Sequence, residues 1–192
     1  MSRFFSLLIF ALLALTMTSC RSKAISVEEV LQQPASSKVY TQYNMFYEDP
    51  MNISAINYQK GNIIPLGTEV KILEARGEYI KFKIAGQETV YNINFPKERM
   101  MIPLEDYIKH LFGAKNEDDL SKDVKPVVFE KIKRGIVEDG MTRNEVLMAY
   151  GYPVAHRTPS LKEDTWIYWS AEMDTKRVVF KGEKVISVFK IE

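Results

Sequence analysis

Residues 140–153 read GMTRNEVLMAYGYP and organise the C-terminal third of the chain. Thr142 and Glu145 have the T-x-x-E spacing of a capping box, in which each side chain accepts a hydrogen bond from a backbone N–H at the start of a helix. Gly151 can adopt the left-handed conformation that ends a helix, and Pro153 prevents the helix from continuing. The stretch therefore predicts a short helix that begins after Thr142 and ends at Gly151.

Strand-like segments follow this helix. After a polar, proline-containing loop at residues 154–163, β-branched and aromatic side chains are frequent at residues 164–169, 177–180 and 185–191. The turn sequence KGEK at residues 181–184 separates the last two segments. This order predicts a three-stranded antiparallel meander packed on the helix.

The helix and the meander together resemble the BamE (SmpA/OmlA) family of bacterial lipoproteins. The shared pattern is a G-M-T-x-x-E-V helix that ends in G-x-P, then a W-x-Y strand and a V-x-F-x-G-x-x-V hairpin. The residues on this pattern are Gly140, Met141, Thr142, Glu145, Val146, Gly151, Pro153, Trp166, Tyr168, Phe180, Gly182 and Val185. The resemblance implies that residues 126–192 form an α+β domain of two helices and three antiparallel strands. It also implies a non-catalytic role, in which the domain binds protein partners in outer-membrane or envelope assembly and maintenance. BamE-like proteins are little more than this domain on a tether, whereas here a long β-rich segment precedes it.

The strand at residues 166–169 is aromatic on both faces. Because successive side chains of a strand point to opposite sides, Trp166 and Tyr168 share one face, and Ile167 and Trp169 share the other. One face must pack on the helices, and the other would be polar if it met only water. Since Trp and Tyr are common at binding hot spots, Trp166, Tyr168 and Trp169 are candidate partner-binding residues. Packing by a neighbouring domain, or contact with a membrane surface, would also explain them.

The preceding part of the chain predicts a small β domain followed by a helix. Short β-rich segments separated by turn residues lie at residues 39–43, 53–58, 68–73, 79–84 and 89–93. Residues 61–73, GNIIPLGTEVKIL, resemble the core hairpin of bacterial SH3-like domains. We therefore expect a small SH3-like β-barrel or roll over residues 39–96. A helix over residues 102–112 and a charged linker are expected within residues 97–125.

The aromatic side chains of this β domain form an alternative candidate site. Those that could line a ligand groove are Tyr40, Tyr43, Phe46, Tyr47 and Tyr58. The same side chains are equally suited to fill the core of a small barrel. If they line a groove, its ligand would be peptidoglycan or a wall peptide, and the protein would be a lipid-anchored wall-binding module.

The N-terminal residues indicate secretion. Arg3 precedes an uncharged apolar run over residues 4–17. As a helix this run would rise about 21 Å, which is too short to cross a hydrocarbon core of about 30 Å. A short apolar run behind a positive charge is typical of a secretory signal peptide.

The only cysteine of the chain follows this run. Residues 17–20 read MTSC and resemble a bacterial lipobox, with Met17 at the position where leucine is usual. The resemblance implies a signal peptide over residues 1–19, diacylglycerol on the Cys20 sulfur and a palmitate-type acyl group on its amine. Residues 20–38 would then be a tether between the bilayer and the fold.

The residue after the cysteine influences whether a bacterial lipoprotein is sorted to the inner or the outer membrane. Arg21 stands where an aspartate would retain such a lipoprotein in the inner membrane. We therefore expect a lipid-anchored protein of the cell envelope that faces the periplasm, in the outer membrane.

The composition excludes several other classes. With 26 basic and 25 acidic side chains, a net charge of +1 gives no long-range attraction to nucleic acid. One cysteine and two histidines leave no thiolate zinc cluster and no intramolecular disulfide. The sequence contains no nucleophile elbow, phosphate loop or dinucleotide-binding fingerprint. We therefore expect no nucleic-acid partner, no metal, no cofactor and no catalytic residue.

Overall fold

Residues 23–191 are described by a computed structural model, so Cys20 and the predicted signal peptide lie outside the described residues. The described chain is a mixed α+β structure with a curled six-stranded half-barrel sheet, a two-stranded ribbon and a three-stranded sheet, joined and covered by short helices. None of the helices in this range is both long and apolar enough to cross a bilayer.

The N-terminal half contains the curled sheet and the ribbon. Its strands are β1 (Val39–Thr41), β2 (Met45–Tyr47), β3 (Ile53–Ser54), β4 (Asn62–Ile64), β5 (Glu69–Arg76), β6 (Tyr79–Ile84), β7 (Val90–Asn94) and β8 (Phe112–Gly113). The order across the sheet is β3-β7-β6-β5-β1-β8, and β2 pairs with β4 in the ribbon. β3 and β7 are parallel, and the other neighbours are antiparallel. Because the end strands β3 and β8 do not pair with each other, the sheet stays open.

Residues 61–73 do not form the hairpin that their sequence predicts. β4 pairs with β2, whereas β5 pairs with β1 and β6. The reason is a tight turn between them, in which the Thr68 N–H and hydroxyl donate to the Pro65 carbonyl. The Thr41 hydroxyl donates to the same carbonyl oxygen at 2.7 Å. These bonds turn the chain out of the ribbon and into the curled sheet.

The helices are short. They are α1 (Val27–Leu31), α2 (Lys97–Met100), α3 (Leu104–Leu111), α4 (Glu117–Ser121), α5 (Pro126–Lys133) and α6 (Arg143–Tyr150). α3 is the helix expected over residues 102–112, and its buried face packs into the N-terminal core.

Two segments expected to be loose are more ordered than the sequence suggests. The Ser26 side chain accepts a hydrogen bond from the Glu29 N–H, and the helix it caps, α1, buries Val27 against α3. The predicted tether is therefore packed on the fold from Ala24 onward. Within the predicted linker, Asn116 caps α4 by accepting from the Asp119 N–H.

The C-terminal half has the predicted order of helix and meander, with α5 placed before α6. Its sheet consists of β9 (Thr165–Trp169), β10 (Thr175–Lys181) and β11 (Lys184–Ile191), with β10 in the centre. The capping box is formed: the Thr142 hydroxyl accepts from the Glu145 N–H at 3.1 Å, and the Glu145 carboxylate accepts from the Thr142 N–H. α6 ends at Gly151, whose φ is 77°.

The two halves share their interior. The C-terminal core contains Phe46 and Leu66 from the N-terminal half. A Cβ on Gly135, which has a φ of 65°, would lie 2.6 Å from the Phe46 ring. A Cβ on Gly151 would likewise lie 2.7 Å from the Tyr43 ring. Glycine is therefore needed at both positions, because the aromatic rings of one half pack directly on the backbone of the other.

Asn44 and Asn57 join the halves by hydrogen bonds and are almost fully buried. The Asn44 amide donates to the carbonyls of Ile132 and Ala149, and its oxygen accepts from the Leu66 N–H at 3.0 Å.

The second asparagine completes this set of bonds. The Asn57 amide donates to the carbonyls of Asn44 and Tyr150, and its oxygen accepts from the Phe46 N–H at 2.8 Å. The strand predicted over residues 53–58 ends at Ser54, because the Asn57 backbone is left-handed, with a φ of 60°. Asparagine tolerates this conformation better than most side chains.

Replacing Asn44 should destabilise the whole protein. Asn44→Ala leaves the Leu66 N–H and the Ala149 carbonyl buried without the partner that Asn44 provides, at a cost of about 1–3 kcal/mol for each unsatisfied group. It also removes one of the two hydrogen bonds to the Ile132 carbonyl, which keeps the bond from the Gly135 N–H. We expect a loss of roughly 3 kcal/mol or more in the free energy of unfolding, measured by urea denaturation. Asn62→Ala is the matched control, because Asn62 is exposed and its loss should cost less than about 0.5 kcal/mol. Equal midpoints for the two variants would contradict this account.

Candidate binding site on the C-terminal sheet

The inward face of β9 belongs to the core. Trp166 is 1% exposed and Tyr168 is 3% exposed. The Trp166 ring packs on Phe180 with 4.6 Å between ring centroids, and the Tyr168 hydroxyl donates to the Gly151 carbonyl at 3.0 Å. Two of the three aromatic residues predicted to contact a partner therefore offer no surface to it, because they fill the space between the sheet and the helices.

The third, Trp169, points to the opposite side and packs against the N-terminal core. The guanidinium carbons of Arg99 and Arg157 lie 5.7 Å and 5.8 Å from the centroid of its ring. The Gln59 N–H donates to the Trp169 carbonyl at 3.0 Å. Trp169 is thus a contact between the two halves, which is the packing alternative that the sequence left open.

Four further residues on the outward sheet face pack into neither core. Across the sheet Ile167 pairs with Arg177 and Arg177 with Phe189, while Val179 lies in the next row. None of these side chains belongs to either core, and Phe189 is 43% exposed. We call Ile167, Arg177, Val179 and Phe189 the outer patch.

Arg177 is the polar centre of the outer patch. Its Nε is buried and has no hydrogen-bond partner among residues 23–191. Within the same residues no carboxylate lies at ion-pair distance from its guanidinium. An arginine held among apolar side chains without a partner can form a bidentate pair with a carboxylate supplied by another molecule.

Strand alternation in β10 bears on the position of this patch. The alternation of strand side chains places Val178 and Phe180 inward, which leaves Arg177 and Val179 outward. The two valines and the phenylalanine are all apolar, so the sequence alone does not distinguish the two faces. Only the packed helices decide which face is covered.

The edge strand β11 borders the outer patch. Its first residues are covered, since the Gly140 N–H donates to the Val185 carbonyl and the Val185 N–H donates to the Met141 carbonyl, both at 2.8 Å. From Ile186 to Ile191 no other strand of the described chain pairs with this edge. Ile186 is 51% exposed there. A partner could therefore use both the face and the edge of this sheet.

The five aromatic residues proposed to line a groove do not come together. Tyr43 is buried in the N-terminal core and Phe46 in the C-terminal core. The Tyr47 ring packs edge-on against Tyr91, and Tyr40 lies in β1. Tyr58 borders a polar cleft, whereas Tyr43 lines a different, smaller pocket.

That cleft is polar. It has a volume of about 570 Å³, and the Arg99 guanidinium donates to the Tyr58 hydroxyl at its wall at 3.1 Å. Glu48 and Asn94 are also among its lining residues. Acidic, amide and basic groups around one cleft fit a zwitterionic or sugar-like ligand better than an apolar one.

A smaller and more apolar pocket lies between α3 and the loop after α6. It has a volume of about 200 Å³, and its walls include Tyr43, Tyr107, His110 and Tyr152. The rings of His110 and Tyr152 stack with 3.9 Å between centroids and 3° between planes. Burial lowers the pKa of His110. The nearby Asp106 raises this pKa and Lys109 lowers it, and both effects are smaller than that of burial. The imidazole is therefore neutral in its stacked position at pH 7.

No group of three or more His, Cys, Asp or Glu residues in the described part of the chain could hold a metal ion. No protein family, curated protein or solved structure matches the chain.

The stacked histidine should make stability depend on pH. The pKa of His110 is lowered in the folded state, whereas in the unfolded chain it is about 6.5. As the pH falls below about 6.5, the unfolded chain binds a proton that the folded protein does not, so the free energy of unfolding decreases. His110→Phe keeps a ring on Tyr152, and its melting temperature should fall less between about pH 7 and about pH 5 than that of the unmodified protein.

His156→Gln, which removes an exposed histidine, is the control. Parallel profiles for His110→Phe and the unmodified protein would contradict this prediction.

Proposed function

We propose that this protein is a non-catalytic, lipid-anchored protein of the cell envelope that binds a protein partner through the outer patch. The observation that carries the proposal is the patch itself, a largely apolar part of the sheet face that packs into neither core and exposes Phe189. At its centre the Arg177 Nε is buried and has no hydrogen-bond partner among residues 23–191. Aromatic side chains and arginine are the residue types that dominate binding hot spots. This site replaces the buried pair Trp166 and Tyr168 as the surface for a partner.

The patch determines what kind of partner fits. Burying a side chain such as Phe189 contributes about 1.5–3 kcal/mol, so several apolar contacts with the patch would support a specific complex. Leaving a polar group such as the Arg177 Nε unpaired costs about 1–3 kcal/mol, and a partner carboxylate would remove that cost. The partner is therefore a protein with an apolar strand or loop that carries an aspartate or glutamate.

The domain assignment supports the same class of protein. Two helices followed by a three-stranded antiparallel meander have the element order expected of a BamE-like domain. We propose this assignment for residues 126–192, with a role in outer-membrane or envelope assembly or maintenance. For the curled sheet, the meander of β5, β6 and β7 supports an SH3-like domain, although the hairpin over residues 61–73 does not.

The proposed location rests on the N-terminal sequence. The apolar run before Cys20 would direct secretion, and acylation of Cys20 would anchor the protein with its folded part in the periplasm. Two or more acyl chains suffice for stable anchoring, because each buried methylene contributes about 0.8 kcal/mol. Arg21 favours the outer membrane.

Removing the acylated cysteine should release the protein from membranes. We expect Cys20→Ser to appear in the soluble fraction after a high-salt wash, while Ser19→Ala, which keeps the cysteine, stays with the membranes. Both variants should keep the melting temperature of the lipid-anchored protein, because both changes lie outside the described fold, which pairs with β5 at Ala24. Retention of Cys20→Ser in the washed membranes would rule out the lipid anchor.

A photo-crosslinker in the outer patch should capture the partner. With Phe189→p-benzoylphenylalanine, irradiation of intact cells should yield one discrete crosslinked envelope protein. The same crosslinker at Gln87, an exposed turn residue of the N-terminal half, should not. Arg177→Glu should abolish the crosslink, and Lys181→Glu, an equal charge change at an exposed position of β10, should not. A crosslink at Gln87 alone, or one insensitive to Arg177→Glu, would assign the function to another surface.

Deleting residues 39–96 is not a usable alternative to this experiment. The deletion removes Phe46 and Leu66 from the C-terminal core, together with both asparagines that join the halves. Loss of binding would then report loss of the fold. Point variants in the outer patch avoid this difficulty because they touch neither core.

The polar cleft beside Tyr58 supports a second candidate function. Its combination of Glu48, Asn94 and Arg99 fits the amine and carboxylate groups of a wall peptide, which is the wall-binding alternative. Co-sedimentation with isolated peptidoglycan separates the two functions. Binding that Arg99→Glu removes and Arg177→Glu leaves intact would favour the wall-binding module.

A further inference from the structure

The described chain begins with a segment that is fastened to the fold. Ala24 forms a β-bridge with Arg76, and the Ile25 N–H donates to the Ala75 carbonyl at 2.8 Å. α1 follows immediately and buries Val27. The N-terminal segment is therefore held at the end of β5, beside the turn that leads to β6.

The distance from this point to the acylated residue is short. Cys20 is four residues before Ala24 in the sequence. Even a fully extended chain spans no more than about 3.6 Å for each residue, so their Cα atoms can be at most about 14 Å apart. Acyl chains on Cys20 would therefore keep this end of the fold close to the bilayer surface.

The surface at this end has an apolar groove. The groove has a volume of about 990 Å³ and lies between the N-terminal segment, the turn at Gly77 and the connection from α2 to α3. Its apolar walls include Ile25, Val30, Phe95 and Ile102.

Met101 lies at the rim of this groove. It is 64% exposed and occupies the left-handed C-cap of α2, with a φ of 56°. A large apolar side chain is thus presented to the surroundings in the connection between two helices, next to other apolar residues. Methionine is flexible and adapts to irregular apolar surroundings.

The charges around the groove are balanced. Lys23 and Lys97 lie among its lining residues together with Glu29 and Glu105. The surface therefore has no strong preference for anionic headgroups. Its apolar side chains are the groups that gain from contact with lipid.

We infer that the groove and Met101 form the membrane-facing surface of the protein, with Met101 at the boundary between headgroups and acyl chains. The occupant of the groove is bilayer lipid. The inference rests on the proposed acylation of Cys20, which places this surface within reach of lipid, and it adds the orientation of the fold to the proposed function. Because the contact is apolar, its strength should change little with ionic strength.

Site-specific fluorescence tests the orientation in the full lipidated protein. An acylated Cys20 has no free thiol, so Met101→Cys provides one reactive site for an environment-sensitive NBD label. Val127→Cys is the matched control, because Val127 is also 64% exposed and lies on α5 in the C-terminal half. Each labelled protein is reconstituted into phosphatidylcholine vesicles with and without nitroxide-labelled phosphatidylcholine.

We expect a blue shift of the emission and strong nitroxide quenching at position 101, unchanged at high salt, and neither effect at position 127. Equal quenching at both positions, or none at position 101, would overturn the orientation while leaving the anchor intact. Mass spectrometry of the membrane-extracted protein separates the two proposals. A free, unmodified Cys20 would overturn the anchor and this inference with it.

Discussion

The pair of buried asparagines is the constraint on which the structure depends. The side-chain amides of Asn44 and Asn57, in the N-terminal half, donate hydrogen bonds to carbonyls of the C-terminal half. These carbonyls belong to Ile132, Ala149 and Tyr150. Removing water from amide groups is favourable only if each donor and acceptor finds a partner. In both asparagines the amide nitrogen donates two hydrogen bonds and the amide oxygen accepts one, so the orientation of each side chain is fixed. The joint is therefore specific in a way that apolar contact alone would not be.

The joint explains why the two halves cannot be treated as separable modules. Phe46 packs on the backbone at Gly135, and Tyr43 packs on the backbone at Gly151. Trp169 closes the same boundary from the C-terminal sheet, between Arg99 and Arg157. Because the aromatic residues at the boundary are used for packing, they are not available to a ligand or a partner. Open sites within the described part of the chain include the outer patch, the polar cleft and the groove beside the N-terminal segment.

These open sites suggest a division of roles within one fold. The N-terminal segment is fastened at Ala24, close to Cys20, so the curled sheet is the part nearest to the proposed anchor. The outer patch belongs to the C-terminal sheet, where the Arg177 Nε has no hydrogen-bond partner within the described residues. In this proposal one half positions the protein on the bilayer and the other recognises a protein. Because Phe46 and Leu66 of the first half pack in the core of the second, anchoring the first half would also fix the second half relative to the bilayer.

The sequence by itself determined the local structure of the C-terminal half. The T-x-x-E spacing, Gly151 and the KGEK turn predicted the helix and the hairpin, because capping and turn formation depend on residues close together in the chain. The strand predicted from residue 53 to 58 instead ends after Ser54, because Asn57 forms hydrogen bonds with residues 44, 46 and 150, which are 13, 11 and 93 positions away in sequence. Residues 61–73 likewise join two different sheets instead of forming one hairpin, because the turn at Pro65 is bonded to Thr41 from a distant strand.

The tertiary structure alone decided which aromatic residues are buried and where the open surfaces lie. Alternation in β9 separated Trp166 and Tyr168 from Trp169, but it could not show that the helices cover the first face and the N-terminal half covers the end of the second. The same rule places Arg177 and Phe189 on a common face only once the register of β10 and β11 is fixed. Register and coverage arise from contacts between distant segments. A single sequence read locally contains too little information about such contacts to specify them.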